Sequence, residues 1–214
     1  MDIDWLYMSV GIVLLLGAIG AYAYRFEKTS VVRNVFKGPT PMPDVITLKQ
    51  RGSEHWADKR GIENLTSPLA LRGFVHVGYY GIAEVLDVGL MFWIKEDEKI
   101  LAVIAEDIRR GQWVEMISFY EDGSDWWYST SESATSNLSR KGSKREYPGK
   151  VVPHQLYARL RQERPPVGLL PVTAENAQGL YEQAYSAHRA FLRHKKDLAD
   201  AKAAQAKKGK VARK

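Results

Sequence analysis

The chain has 214 residues, no cysteine, and 31 Lys and Arg against 25 Asp and Glu. The missing cysteine excludes disulfides, thiolate metal sites and a cysteine nucleophile, and the length suits one domain with flanking segments. The net charge of +6 is uneven: residues 193–214 hold nine basic and two acidic residues, leaving 22 and 23 in residues 1–192. The domain therefore lacks the basic surplus of a nucleic-acid binder, and nucleic acid is disfavoured as a partner.

Residues 5–24 carry no charge. At about 1.5 Å per residue, twenty helical residues cover the roughly 30 Å hydrocarbon core of a bilayer. Trp5 and Tyr7 stand at one end, and Tyr22 and Tyr24 at the other with Arg25 and Lys28 directly behind them. Amphipathic rings and cations at those depths are the pattern of two membrane interfaces. A secretory signal would open on basic residues rather than Met-Asp-Ile-Asp, although Ala21-Tyr22-Ala23 imitates a cleavage site. A buried core helix is disfavoured because aromatics stand at both ends of a run that is apolar on all sides. The expectation is a transmembrane helix over 5–24 behind a four-residue outer tail. Lys and Arg occur only after it, at 25, 28, 33 and 37, so the bulk of the chain is expected in the cytoplasm. Gly17, Ala18 and Ala21 offer a small-residue face without a Gly-xxx-Gly pair. The sequons at Asn64 and Asn137 would matter only in a secretory lumen.

A basic juxtamembrane segment and linker follow over 25–45, where Pro39, Pro41 and Pro43 favour an extended chain. A domain is expected over 46–192. It opens with a short helix over 54–64, started at Ser53 and ended by Thr66-Ser67-Pro68. Five strand-length runs come next, within RGFVHVGYYGI, GLMFWIK, KILAVIAED, QWVEMISFYE and DWWYSTS. Alternation in the first puts Phe74, His76, Gly78 and Tyr80 opposite Val75, Val77 and Tyr79. In the fourth it puts Val114, Met116 and Tyr120 opposite Trp113, Ile117 and Phe119. The turns between runs, Asp122-Gly123 among them, are too short for crossovers, which predicts a five-stranded antiparallel meander.

The polar stretch 129–147 reads as a mobile loop. A helix with Pro153 in its first turn ends at Pro165-Pro166. Beyond Thr173, which can cap it, lies the strongest helical pattern of the domain. Ala177, Leu180, Tyr181, Ala184, Tyr185, His188, Phe191 and Leu192 recur there at three and four residues. That stripe is expected to cover one face of the sheet, making a two-layer α+β domain packed against C-terminal helices. Residues 193–214 are a basic, Ala- and Lys-rich tail expected to extend the helix and then fray, either as a solvated terminus or as a weak, salt-dependent contact for anionic lipid headgroups or RNA.

Recognisable chemistry is sparse. His55, His76, His154, His188 and His194 include no i, i+4 pair and no HExxH, and neither phosphate loops nor a GxSxG elbow occur. Glu106-Asp107 and the group Glu121, Asp122 and Asp125 lie at hairpin turns without EF-hand spacing, and turn chemistry accounts for them. No metal, cofactor or catalytic residue is expected. Aromatics remain: His76, Tyr80, Trp93, Trp113, Trp126 and Trp127 are the candidates for ligand or partner contact, the consecutive tryptophans pointing to opposite faces. These features predict a single-pass membrane-anchored, non-catalytic protein-binding or scaffolding module. A rival holds a lipid or small molecule between layers at His76, Tyr80, Trp93 and Trp113. A third, a hydrolase using Asp and His, requires a carboxylate beside His76.

Overall fold

The computed structural model describes residues 43–52, 56–131 and 138–211. The expected span over 5–24, its interface residues Trp5, Tyr7, Tyr22, Tyr24, Arg25 and Lys28, and nearly all of the linker lie outside them. Among the described residues no helix is long and apolar enough to cross a membrane.

The domain is α+β. Among the described residues seven strands follow one another in chain order across a single sheet: β1 (Leu48–Arg51), β2 (Val75–Ile82), β3 (Val85–Lys95), β4 (Ile100–Asp107), β5 (Gly111–Phe119), β6 (Asp125–Ser129) and β7 (Lys144–Glu146). The five expected runs are β2 to β6, all antiparallel. Tight turns join them, and Gly123 takes φ +79 as the Asp122-Gly123 hairpin requires.

The meander is longer than expected at both edges. β1 pairs antiparallel with β2, and β7 pairs parallel with β6. The stretch 129–147 is therefore not all loop. Its charged Lys144-Arg145-Glu146 forms an edge strand that an apolar pattern could not reveal, while residues 132–137 lie outside the described residues.

The expected two layers are three. Helix α1 (Lys59–Ala70) and α2 (Pro153–Glu163) cover one face of the sheet, and α3 (Ala177–Val211) covers the other. Met91, Ile104, Val114, Met116 and Tyr128 meet Ile62, Leu69, Leu156 and Leu160 on the first face. Leu90, Phe92, Val103, Ile117, Phe119 and Trp127 meet Ala177, Tyr181 and Ala184 on the second. β4 gives the reason. Ile100 to Ala105 are all fully buried, and a strand without a polar face needs cover on both sides.

α1 also departs from the expected 54–64. Asp58 caps it by accepting from the Gly61 amide at 2.9 Å, and it continues through Pro68 to Ala70. Proline removes one amide in the last turn, but fully buried Leu69 holds that turn against the sheet. α2 has the predicted span, with Pro153 at its start. α3 begins at Ala177, with the Thr173 carbonyl accepting from the Ala177 amide, and includes most of the expected tail.

Candidate functional site

The six aromatic candidates divide between the two faces. Expecting His76 and Tyr80 on one face is wrong, because the register slips between His76 and Gly78 and leaves Val77 as a bulge. One extra residue reverses the alternation beyond it. His76 stands opposite Trp93, whereas Tyr80 stands opposite Leu90 in the core under α3, its ring 4.6 Å from Phe92. Tyr79 turns instead to His76, with ring centroids 4.6 Å apart.

The slip assembles an aromatic group on the α1/α2 face. His76 lies 5.4 Å from Trp93, and Tyr79 lies 6.4 Å from Trp56. Trp93 is oriented by its indole N–H, which donates to the Met91 sulfur at 2.9 Å. His76 is exposed, and Trp56, Tyr79 and Trp93 are half-buried. Partial burial lowers the His76 pKa, against an opposing hydrogen bond with the Gly78 backbone. The shift favours the neutral ring, which presents an apolar face with one polar edge. The sequence pattern does not single out Trp56 or Tyr79: Trp56 falls inside the expected helix 54–64 yet lies before the observed start of α1, and simple alternation puts Tyr79 on the opposite face from His76.

Trp126 and Trp127 do point to opposite faces. Trp126 is half-exposed on the α2 side, with the Lys144 ammonium 5.0 Å from its ring. Trp127 is 4% exposed, 5.0 Å from Tyr181 and capped by the Arg145 guanidinium at 4.0 Å, so it has no surface to offer a partner.

Behind Trp127 runs a buried polar network. Glu115 accepts from the Trp113 indole N–H and the Tyr181 hydroxyl, both at 3.0 Å. Asp125, fully buried, meets Arg140 at 2.5 Å and Arg145 at 3.3 Å, and Arg145 also donates to the Ala184 carbonyl at 3.2 Å. Burial raises the Glu115 pKa, while the Trp113 and Tyr181 hydrogen bonds and the Arg145 charge oppose it. Burial also raises Tyr181 well above the ordinary phenol value, with the nearby Glu115 carboxylate adding to it. The visible signal for Glu115 is an acid between Trp113 and Ile117 on an apolar strand face. These groups are enclosed by α3, an arrangement that joins β5, β6, β7 and α3 rather than one that receives a substrate.

The acid clusters at the turns do structural work. Glu106 accepts from the Ala57 and Asp58 amides at 2.7 and 3.2 Å and from the Gln112 amide at 2.8 Å, fixing the start of α1. Asp107 accepts from the Arg109 amide at 2.7 Å, and Asp122 from the Ser124 amide at 2.9 Å. Asp125 differs, since it lies in the core rather than on the sheet rim. Among the described residues, no three His, Asp or Glu side chains could hold a metal ion.

Trp113 is half-buried and lines an open cleft of about 470 Å³ with Leu65, Arg110, Thr130, Tyr147 and Lys150. No protein family, curated protein or solved structure matches this chain.

Proposed function

We propose that the domain is a non-catalytic protein-binding module, held at a membrane by residues 5–24, with Trp56, His76, Tyr79 and Trp93 as its contact surface. The observation that carries this reading is the gathering of four rings, none of them fully buried, on one sheet face. Solvent-facing aromatic groups of this kind recur at protein interfaces, where they bury much area at little entropic cost. The described titratable clusters, in contrast, are already engaged in capping turns or tying elements together. The test is capture of partners by the tagged full chain, solubilised with its N-terminal segment. His76→Ala and Trp93→Ala are expected to lower capture by about tenfold or more, as centrally placed contact residues do. Exposed His76 guards against a folding artefact at Trp93, so undiminished capture by folded His76→Ala and Trp93→Ala would remove the proposal.

The cleft at Trp113 favours a second reading, small-molecule sensing, because its volume falls in the range of ligand pockets. A metabolite that co-purifies with the protein and is lost in Trp113→Ala, seen by native mass spectrometry, would support it over protein binding.

A further inference from the structure

We propose that the C-terminal half of α3 is a second membrane contact that lies on an anionic lipid surface. This rests on the reading of residues 5–24 as a bilayer span.

Three observations meet at one corner of the domain. First, between His188 and Asp200 α3 leaves the core: no residue after His188 is buried there, and every residue from Arg193 to Asp200 is exposed. Second, it does not end there. The helix continues to Val211, and between Arg193 and Val211 the sequence places seven basic residues against Asp197 and Asp200. At 1.5 Å per residue this arm is about 27 Å long. Third, the chain joins the domain on the same turns of α3. The Tyr185 hydroxyl donates to the Pro43 carbonyl at 2.9 Å, and the Asp44 carboxylate meets Arg193 at 2.6 Å and Arg189 at 3.6 Å.

The linker that follows residues 5–24 therefore enters the domain at the root of the basic arm. Eighteen residues lie between Tyr24 and Pro43, nineteen Cα steps and so a tether of at most about 65 Å when fully extended. Asp44 neutralises charge at the root, leaving the surplus further along the arm.

The attraction is of the correct size for a reversible contact. Near an anionic leaflet each Lys or Arg multiplies surface residence by about fivefold. The field fades within a Debye length of roughly 8 Å at physiological salt, so the arm must lie along the surface instead of projecting from it. RNA would also attract a basic arm, but residues 1–192 carry 22 basic and 23 acidic groups and supply no basic surplus to complete such a site.

The experiment places the full chain in nanodiscs of phosphatidylcholine alone and of phosphatidylcholine with phosphatidylserine, and follows amide hydrogen exchange. Exchange over 193–211 is expected to slow by about tenfold only in the serine-lipid discs, and to recover in high salt. Strands β2 to β6 serve as the internal reference and should not change. A Lys207→Gln, Lys208→Gln, Lys210→Gln variant should lose the effect without altering unfolding. Equal exchange in the two lipids overturns the proposal, as does protection by added RNA without protection by phosphatidylserine. Failure of the chain to remain in phosphatidylcholine discs would instead remove the span, and this inference with it.

Discussion

His188 shows how one side chain can set the acid stability of the domain. It lies on the buried stripe of α3, and its Nδ1 has no hydrogen-bond partner among the described residues. Burial, aided by the charges of Arg145, Arg140 and Arg189, lowers its pKa from 6.5 to about 3. Between those values the folded protein keeps the ring neutral while the unfolded chain takes up a proton. The unfolded state then binds more protons, so stability rises with pH in this window and is lost as pH falls from 6.5 toward 3. The limiting slope for one proton is about 1.4 kcal/mol per pH unit. Glu115 acts in the opposite sense. With a raised folded pKa it retains a proton that the unfolded chain releases above 4.5, which makes stability fall as pH rises. Comparing His188→Leu with the parent separates the two. The variant is expected to flatten the decline of urea-unfolding stability between pH 6.5 and 4.5, and an unchanged slope would show that the ring is not held neutral.

At the scale of elements, the sheet was legible where apolar residues reported their own burial, and illegible where polar or backbone geometry decided. The five runs from Val75 to Ser129 and the stripe from Ala177 to His188 could be read directly because burial and periodicity coincide there. The bulge at Val77 could not, because no side chain marks an unpaired backbone residue. β7 was hidden for a related reason. Lys144 and Glu146 are held by ion pairs with Glu163 and Arg159 of α2, and Arg145 by Asp125, interactions between residues far apart in sequence. The β1 edge is also engaged by polar groups of α3. At β1, the Leu48 amide donates to Glu182 at 2.6 Å and its carbonyl accepts from Gln178 at 3.0 Å, both from α3, so this stretch offers little to an added strand. α3 can approach the sheet closely because small residues, fully buried Ala177 and nearly buried Ala184, flank Tyr181. Ala184→Leu would overfill that contact and lift α3 from Trp127 and Arg145. The expected cost is about 1–3 kcal/mol in chemical denaturation, with the near-ultraviolet signal of the tryptophans altered. A neutral result would mean that the helix is seated less tightly than these burials indicate.

For the whole molecule, folding and charge are separable. Eight of the 31 basic residues and two of the 25 acidic ones lie beyond Arg193, so residues 1–193 carry 23 of each and no net charge. As far as Asp200 the buried core uses none of the residues after His188, and the pairs of Arg189 and Arg193 with Asp44 both precede that cut. Truncation after Arg193 therefore removes the entire charge surplus while sparing each of these contacts. Surface changes away from packed or paired groups usually alter stability by less than about 0.5 kcal/mol. The truncated chain is expected to unfold within that margin of the full chain in urea, yet to lose retention on a cation exchanger. A large loss of stability would place the arm within the folding unit, against the exposure of residues 193–200. Unchanged retention would mean that the remaining basic residues already form a patch on the domain despite their balance with acids. The same truncation keeps Trp56, His76, Tyr79 and Trp93, so capture of a protein partner should survive it.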